Sequence, residues 1–254
     1  MTTVSIVTAV YNGSSTLAQT IESVLSQTYP HLEHIIVDGA SRDNTVDIIR
    51  GYEGKIARWV SEPDRGIYDA MNKGLRLATG DIIGILNADD FYESAHVISK
   101  VVALFERERV EVLYGDLLYV DADHPEKIVR YWEAKSYREN AFRRGWMPPH
   151  PTFFVKRGVY QRHGLFDERF RCSADYEMML RLIHKHRLQP AYLPEVLVRM
   201  RTGGVSNQSL KSRLVANRED YLAWASNGLK PAFYTMWLKP LRKLYQYLVR
   251  PRRQ

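Results

Sequence analysis

Four apolar segments near the start of the chain each stop at a polar turn, and residues with helical spacing fill the gaps between them. The segments are Val4–Val10, Leu32–Val37, Ala57–Ser61 and Ile82–Leu86. The last of them, Ile82–Leu86, is continuously apolar, which is what a strand covered by helices on both faces requires. Leu17, Ile21, Val24 and Leu25 predict a first helix, with Ser14 or Ser15 as N-cap and an end before Pro30. A second helix runs through Ile48 and Ile49 behind a cap at Asp43 or Asn44, and a third covers Tyr68–Ala78 with Gly80 as its C-cap. This alternation predicts an α/β fold with a Rossmann-like, mainly parallel sheet flanked by helices. Further on, Ala95–Glu108 predicts a helix, Val112–Val120 and Lys127–Trp132 strands, Trp146–Pro151 a stiff loop, Thr152–Val155 a strand and Asp175–His186 a helix.

Polar residues collect where the four strands end. Thr8 lies near the end of the first with Tyr11 and Asn12 after it, Asp38, Ser41 and Asp43 follow the second, Asp64 and Arg65 the third, and Asn87, Asp89 and Asp90 the fourth. The carboxyl ends of parallel strands line one edge of the sheet, so these clusters converge on one crevice, where such folds bind ligands. Two adjacent acids are costly to ionise together unless a cation lies beside them. A hard divalent ion carrying a phosphate ester would satisfy Asp89 and Asp90; an Asx turn or helix cap is the plainer alternative. No Gly-x-Gly-x-x-Gly follows the first strand and no Walker A sequence is present, which disfavours a dinucleotide oxidoreductase and a P-loop ATPase.

The chain of 254 residues suits one large domain, or one domain with an appendage. A single cysteine, Cys172, excludes an internal disulfide framework and a cysteine-based zinc site. The opening residues lack a signal-peptide pattern and no apolar run reaches the roughly 20 residues of a membrane span. A cytoplasmic location is therefore expected, with attachment to the inner face of the membrane as an extension of it. Residues 221–254 hold seven of the 36 Lys and Arg and none of the 29 Asp and Glu, so the whole excess of +7 belongs to that segment. A nucleic-acid binder carries its basic surface on the folded module, so no nucleic-acid partner is expected. In the same segment Phe233, Trp237, Leu241, Leu244 and Leu248 recur at helical steps, with Lys239, Arg242, Lys243 and Arg250 opposite, and Pro240 starting or kinking the helix. That pattern predicts a basic amphipathic helical tail, suited to an anionic membrane surface or to docking on the domain with its basic face in water.

In motif order the chain resembles the family-2 glycosyltransferases of GT-A fold, from Val4 to about Gly204. The resemblance is carried by Val4–Asn12 with Ser23–Tyr29, by Val37-Asp38-Gly39-Ala40-Ser41-Arg42-Asp43-Asn44-Thr45, by Asp64–Gly74 and by Asn87-Ala88-Asp89-Asp90. Asp64–Gly74 and Pro149–Phe154 are similar to the branch that builds bacterial surface polysaccharides, including colanic-acid-type enzymes. The resemblance implies that Thr8, Val10, Tyr11 and Asn12 line a nucleotide pocket, that Asp38 accepts a hydrogen bond from the base, and that Ser41 and Ala88 belong to the donor site. Arg65 and Lys73 become diphosphate contacts, for Lys73 against the alternative of a solvated helical lysine. Asn87-Ala88-Asp89 occupies the D-x-D position with Asn for the first Asp, so Asp89 would hold Mg²⁺ or Mn²⁺ and Asp90 would assist. Asp175 matches the catalytic base, with Ala174 where the usual pair has Glu; otherwise it reads as a helix N-cap acid. His150 is a helper at the acceptor or diphosphate or a structural loop histidine, and Arg199, Arg201 and 203–206 form a flap over the donor or a surface loop.

The expectation is an inverting, metal-dependent, non-processive hexosyltransferase using a nucleotide-diphosphate sugar, UDP first among the bases. Its acceptor would be a glycan, on a lipid carrier, in surface-polysaccharide synthesis. Residues 1–220 would form the catalytic domain (1–92 the nucleotide-sugar half, 93–220 the acceptor half) and 221–254 the tail. A sugar-nucleotide pyrophosphorylase and a catalytically silent nucleotide-sugar-binding module stay open as alternatives.

Overall fold

The computed structural model describes residues 1–203, 210–247 and 249. Its nine strands are β1 (Val4–Val10), β2 (Leu32–Asp38), β3 (Arg58–Ser61), β4 (Ile82–Ile85), β5 (Asp90–Tyr92), β6 (Val112–Val120), β7 (Ile128–Trp132), β8 (Phe154–Lys156) and β9 (Ala191–Arg201). Eight helices accompany them: α1 (Leu17–Leu25), α2 (Thr45–Gly51), α3 (Ile67–Leu77), α4 (Val97–Glu108), α5 (Arg157–His163), α6 (Ala174–Met179), α7 (Leu210–Ser226) and α8 (Thr235–Tyr245). A π-helical turn, Leu180–Lys185, continues α6.

One sheet runs in the order β3-β2-β1-β4-β8-β6-β9-β5, with β7 added on β6. The first four strands are parallel, as their apolar runs predict. Beyond β4 the sheet becomes mixed, since β8 lies antiparallel to β4 and β6, while β6 and β9 run parallel. Val7, Ala9, Ile35 and Val37 pack on one face against α3 and α6, and Val4, Ile6 and Ile36 on the other against α1, α2 and α4. Gly74 lets α3 lie close to the sheet, because a Cβ there would fall 2.2 Å from Val7 Cγ1.

Several boundaries differ from expectation. The N-cap of α1 is Thr16, not Ser14 or Ser15, whose turn is instead fixed by Thr16 and Leu17 N–H groups on the Gly13 carbonyl. Gly80 is not a C-cap. It lies past the extended Ala78, where a Cβ would fall 2.7 Å from the Ser5 backbone nitrogen, so glycine is needed for close approach to β1. Arg199 and Arg201 are not in a flap but at the end of β9, paired to β5 and β6; 204–206 lie outside the described residues. Helix α7 runs unbroken through residue 220. No helix among the described residues is long and apolar enough to cross a membrane.

Candidate active site

The chain passes from β1 to β2 and β3 on one side and returns to β4 on the other, so strand order reverses between β1 and β4. That reversal opens a crevice at the carboxyl ends of these strands. Its rim holds Tyr11, which is 58% exposed. Gly39 lies between Tyr11 and Asp64: a Cβ at Gly39 would fall 2.2 Å from Asp64 Oδ2 and 3.5 Å from the Tyr11 ring. Asn12 adopts a left-handed backbone (φ 51°). Its N–H donates to Ser41 Oγ at 2.8 Å and its Oδ1 accepts from the Arg42 N–H at 2.8 Å. Val10 is buried beneath this turn, against Gly13.

Three residues expected at the ligand are engaged by neighbouring protein groups. Thr8 is fully buried on the α1 side of the sheet, with Oγ1 3.0 Å from His34 Nε2. Burial pushes the His34 pKa down to about 3, so the imidazole is neutral and the pair belongs to the core. Asp38 is also fully buried, and its carboxylate accepts from the Ser41 N–H (3.0 Å), the Ser41 hydroxyl and Ser61 Oγ (2.6 Å). It organises the turn after β2. Lys73 places Nζ 2.8 Å from both Glu62 Oε1 and the Pro63 carbonyl, which fixes the β3–α3 loop. Arg65 is exposed and donates to Glu168 Oε2 at 2.6 Å.

The loop after β4 is held by its carbonyls. Thr20 Oγ1 donates to the carbonyls of Ala88 (2.9 Å) and Asp90 (2.8 Å), and Arg201 donates to the carbonyl of Asp89 and to Gln19. The role found for Arg201 is thus to clamp this loop from β9. With the backbone so fixed, the Asp89 carboxyl is half-buried, and burial raises its pKa against the pull of Arg201 and His150. Asp90 is fully buried, and burial and Asp89 together raise its pKa well above the carboxylate range. Asp90 Oδ1 and Asn87 Oδ1 are buried without a hydrogen-bond partner. Two under-compensated acids and two orphan oxygens form a donor set that suits a hard divalent ion. No cluster of three or more His, Cys, Asp or Glu with metal-binding geometry occurs among the described residues, so other ligands would come from what the ion carries.

Asn87 connects this loop to the second half of the site. Its Nδ2 donates to Asp90 Oδ2 at 2.9 Å and lies 3.3 Å from His150 Nε2. An amide nitrogen donating to Nε2 puts the ring proton on Nδ1, which lies 3.3 Å from Asp175 Oδ2. The other carboxylate oxygen, Asp175 Oδ1, accepts from the Tyr68 hydroxyl at 3.1 Å. Tyr68 stays protonated, because burial and Asp175 raise its pKa well above 10.0. Asp175 sits in the first turn of α6, where the helix dipole favours negative charge. Glu219 of α7 accepts the N–H groups of Arg171, Cys172 and Ser173, which fixes the approach to that turn. Asn72, nearly buried, clamps the preceding segment by bonding both the N–H and the carbonyl of Phe166 and the Glu168 carboxylate.

The crevice thus joins an acid loop at the β4 end to a carboxylate held at both oxygens from across the chain. A family profile for Glycosyl transferase family 2 matches residues 5–170, more than half of the chain. The chain belongs to glycosyl transferase family 2. As a family-2 glycosyltransferase it resembles a glycosyltransferase of Mycobacterium tuberculosis, with 32% identity over 70% of this chain and 68% of the relative. It also resembles a PGL/p-HBAD biosynthesis glycosyltransferase of Mycobacterium bovis, with 29% identity over 80% and 78%. Among solved structures, a mannosyltransferase of Pyrobaculum calidifontis in complex with GDP-Man and Mn²⁺ aligns over 97% of this chain and 70% of its own, with a TM-score of 0.67 and 21% identity. S. aureus TarS aligns over 97% of this chain with a TM-score of 0.69 and 15% identity, and the present chain spans 43% of it. These likenesses establish the GT-A fold. The pyrophosphorylase and silent-module alternatives give way to a glycosyltransferase.

Tyr68, Asn72, Glu168 and Glu219 were not singled out from the sequence as site residues. Tyr68 and Asn72 do fall inside the Asp64–Gly74 motif, and that motif was the available signal.

Proposed function

We propose that this family-2 enzyme moves one hexosyl residue from a nucleotide-diphosphate sugar, UDP-linked first among the bases, to a hydroxyl of a glycan acceptor, with inversion and one sugar per encounter. In this reading residues 1–92 hold the donor and residues 93–220 the acceptor, which is lipid-linked and met at an anionic membrane surface during surface-polysaccharide synthesis. The single observation that carries the reading is the Asp175 carboxylate, gripped by Tyr68 and His150 and tied through Asn87 to the acid loop. Two lone pairs of that carboxylate stay available after these bonds. One of them accepts the acceptor's proton as its oxygen attacks the anomeric carbon.

Asp89 is the residue that would hold Mg²⁺ or Mn²⁺, beside the orphan oxygens of Asn87 and Asp90. When bound, such an ion neutralises charge developing on the departing diphosphate. The bound complex of the Pyrobaculum neighbour with GDP-Man and Mn²⁺ supports a divalent ion, and the UDP-GlcNAc complex of TarS supports a nucleotide sugar. Nuclear magnetic resonance of the product made from an α-linked UDP-sugar is expected to give the β-anomer first; an α-product would overturn single displacement with Asp175 as base.

The Asn at position 87 follows from the same geometry. Its amide donates to Asp90 and His150 at once, whereas an aspartate there has no N–H for either partner. Asn87→Asp, which writes the family's D-x-D into this chain, is therefore expected to lower kcat by about ten- to a hundredfold, as loss of outer-shell support does. Equal or higher activity would refute this role for Asn87.

A further inference from the structure

Helix α8 packs on the domain by its polar side. Thr235 is fully buried with Oγ1 donating to the Arg143 carbonyl at 2.6 Å, and Arg242 Nε donates to the Arg144 carbonyl at 3.0 Å. Lys239 places Nζ 2.6 Å from Asp220 Oδ2 of α7 and 3.7 Å from the Tyr176 ring centroid. Gly145 (φ 72°) admits the helix: a Cβ there would fall 2.5 Å from the Lys239 backbone nitrogen. Lys239 is therefore not part of a solvated basic face, contrary to expectation, whereas Arg242 stays exposed while bonding the Arg144 carbonyl. Leu248 and Arg250, and the side chains of Lys243 and Leu244, lie outside the described residues.

Facing water instead is the apolar side. Phe233 is 91% exposed and Trp237 76%, and Leu241, Tyr245 and Tyr247 continue the ridge. A surface helix normally buries this side, and an exposed apolar patch of such extent marks an interaction site. Cations flank the ridge: Arg143 and Arg144 lie exposed beneath the helix, Lys135 Nζ is 4.7 Å from the Tyr245 ring and the Arg130 guanidinium 5.4 Å from the Tyr247 ring. Residues 221–254 contribute no acid to oppose them. Aromatic and leucine side chains framed by cations complement one partner above others, the interface of an anionic bilayer, where rings enter the headgroup layer and cations meet lipid phosphates.

The docked side reaches the site. Tyr176, under Lys239, follows Asp175 in sequence, and Asp220 is next to Glu219, which holds the N–H groups of 171–173. Gly145, against the α8 backbone, opens the loop that leads to His150. We propose that α8 seats this protein on an anionic bilayer through the Phe233–Trp237–Leu241–Tyr245 ridge while its buried side braces the segments that carry Asp175 and His150. The consequence for acceptor capture rests on the sugar-transfer reading; the seating itself does not.

Flotation of the full chain with phosphatidylcholine vesicles containing one quarter phosphatidylglycerol, without donor or acceptor, tests the seat. The wild type is expected to float with these vesicles and to detach in high salt. Phe233→Ser/Trp237→Ser is expected to lose at least about tenfold in partitioning with unchanged circular dichroism and unchanged transfer to a water-soluble acceptor. Wild-type partitioning equal to that of the double variant, or no binding to anionic vesicles, would overturn the proposal. So would a wild-type dimer in solution that the double variant abolishes, since a second copy would then cover the ridge. Because flotation needs no turnover, a failed transfer assay leaves this result standing and counts against the sugar-transfer reading alone.

Discussion

Asp175→Asn is expected to lower kcat by about 10²–10⁴-fold, the range that a positioned general base contributes, and to leave donor affinity unchanged. Asparagine keeps the shape of the side chain and a carbonyl for the Tyr68 hydroxyl, which donates to Asp175 Oδ1 at 3.1 Å. It cannot take up the acceptor's proton. In the proposed reading the donor is held by residues 1–92 and Asp175 acts on the acceptor, so the donor's dissociation constant is a built-in control for folding. Initial rates of nucleoside diphosphate release and calorimetric titration of the donor separate the two effects. Wild-type turnover by this variant would remove Asp175 from the chemistry. Loss of donor affinity in step with kcat would instead assign it to binding.

Asp89→Ala is expected to weaken Mn²⁺-dependent donor binding about tenfold or more and to lower kcat by about 10²–10³-fold, as loss of one preorganised charge-stabilising group does. The fold should not suffer. Burial raises the Asp89 pKa, so its ionised form is already disfavoured in the protein, and the loop backbone is held independently by Thr20 and Arg201. An unchanged Tm together with weakened binding therefore identifies a ligand-directed role. Chelation of the metal should bring wild-type donor affinity down to that of the variant and leave the variant unaltered. If chelation changes neither protein, Asp89 holds no ion.

The parallel half of the sheet was legible because burial on both faces makes β1, the end of β2 and β4 mainly apolar. Strand β9 was not: Pro194 and Glu195 interrupt it, and its pairing with β6 shifts register at Asp116. Strand β5, three residues long, is defined only by its pairing with β9. Helix α7 escaped because it packs through Ala223, Trp224 and the polar Glu219, with no apolar stripe to mark it.

At the site, proximity to a strand end was readable and orientation was not. Thr8 and Asp38 sit where expected along the chain, but pleating turns one toward His34 and the turn after β2 encloses the other. The bond from His150 to Asp175 joins segments whose approach is set by tertiary packing, so no local pattern announces it.

The central claim is that Asp89 and Asp175 divide donor activation and acceptor deprotonation between them. Release of free nucleoside diphosphate from a UDP-sugar, followed on addition of acceptor with and without Mn²⁺, tests it most directly. The wild type should release one diphosphate per sugar transferred, only with both acceptor and metal present, and Asp175→Asn should bind the donor and release almost none. Acceptor-independent release at the full rate, or full release by Asp175→Asn, would contradict the assignment.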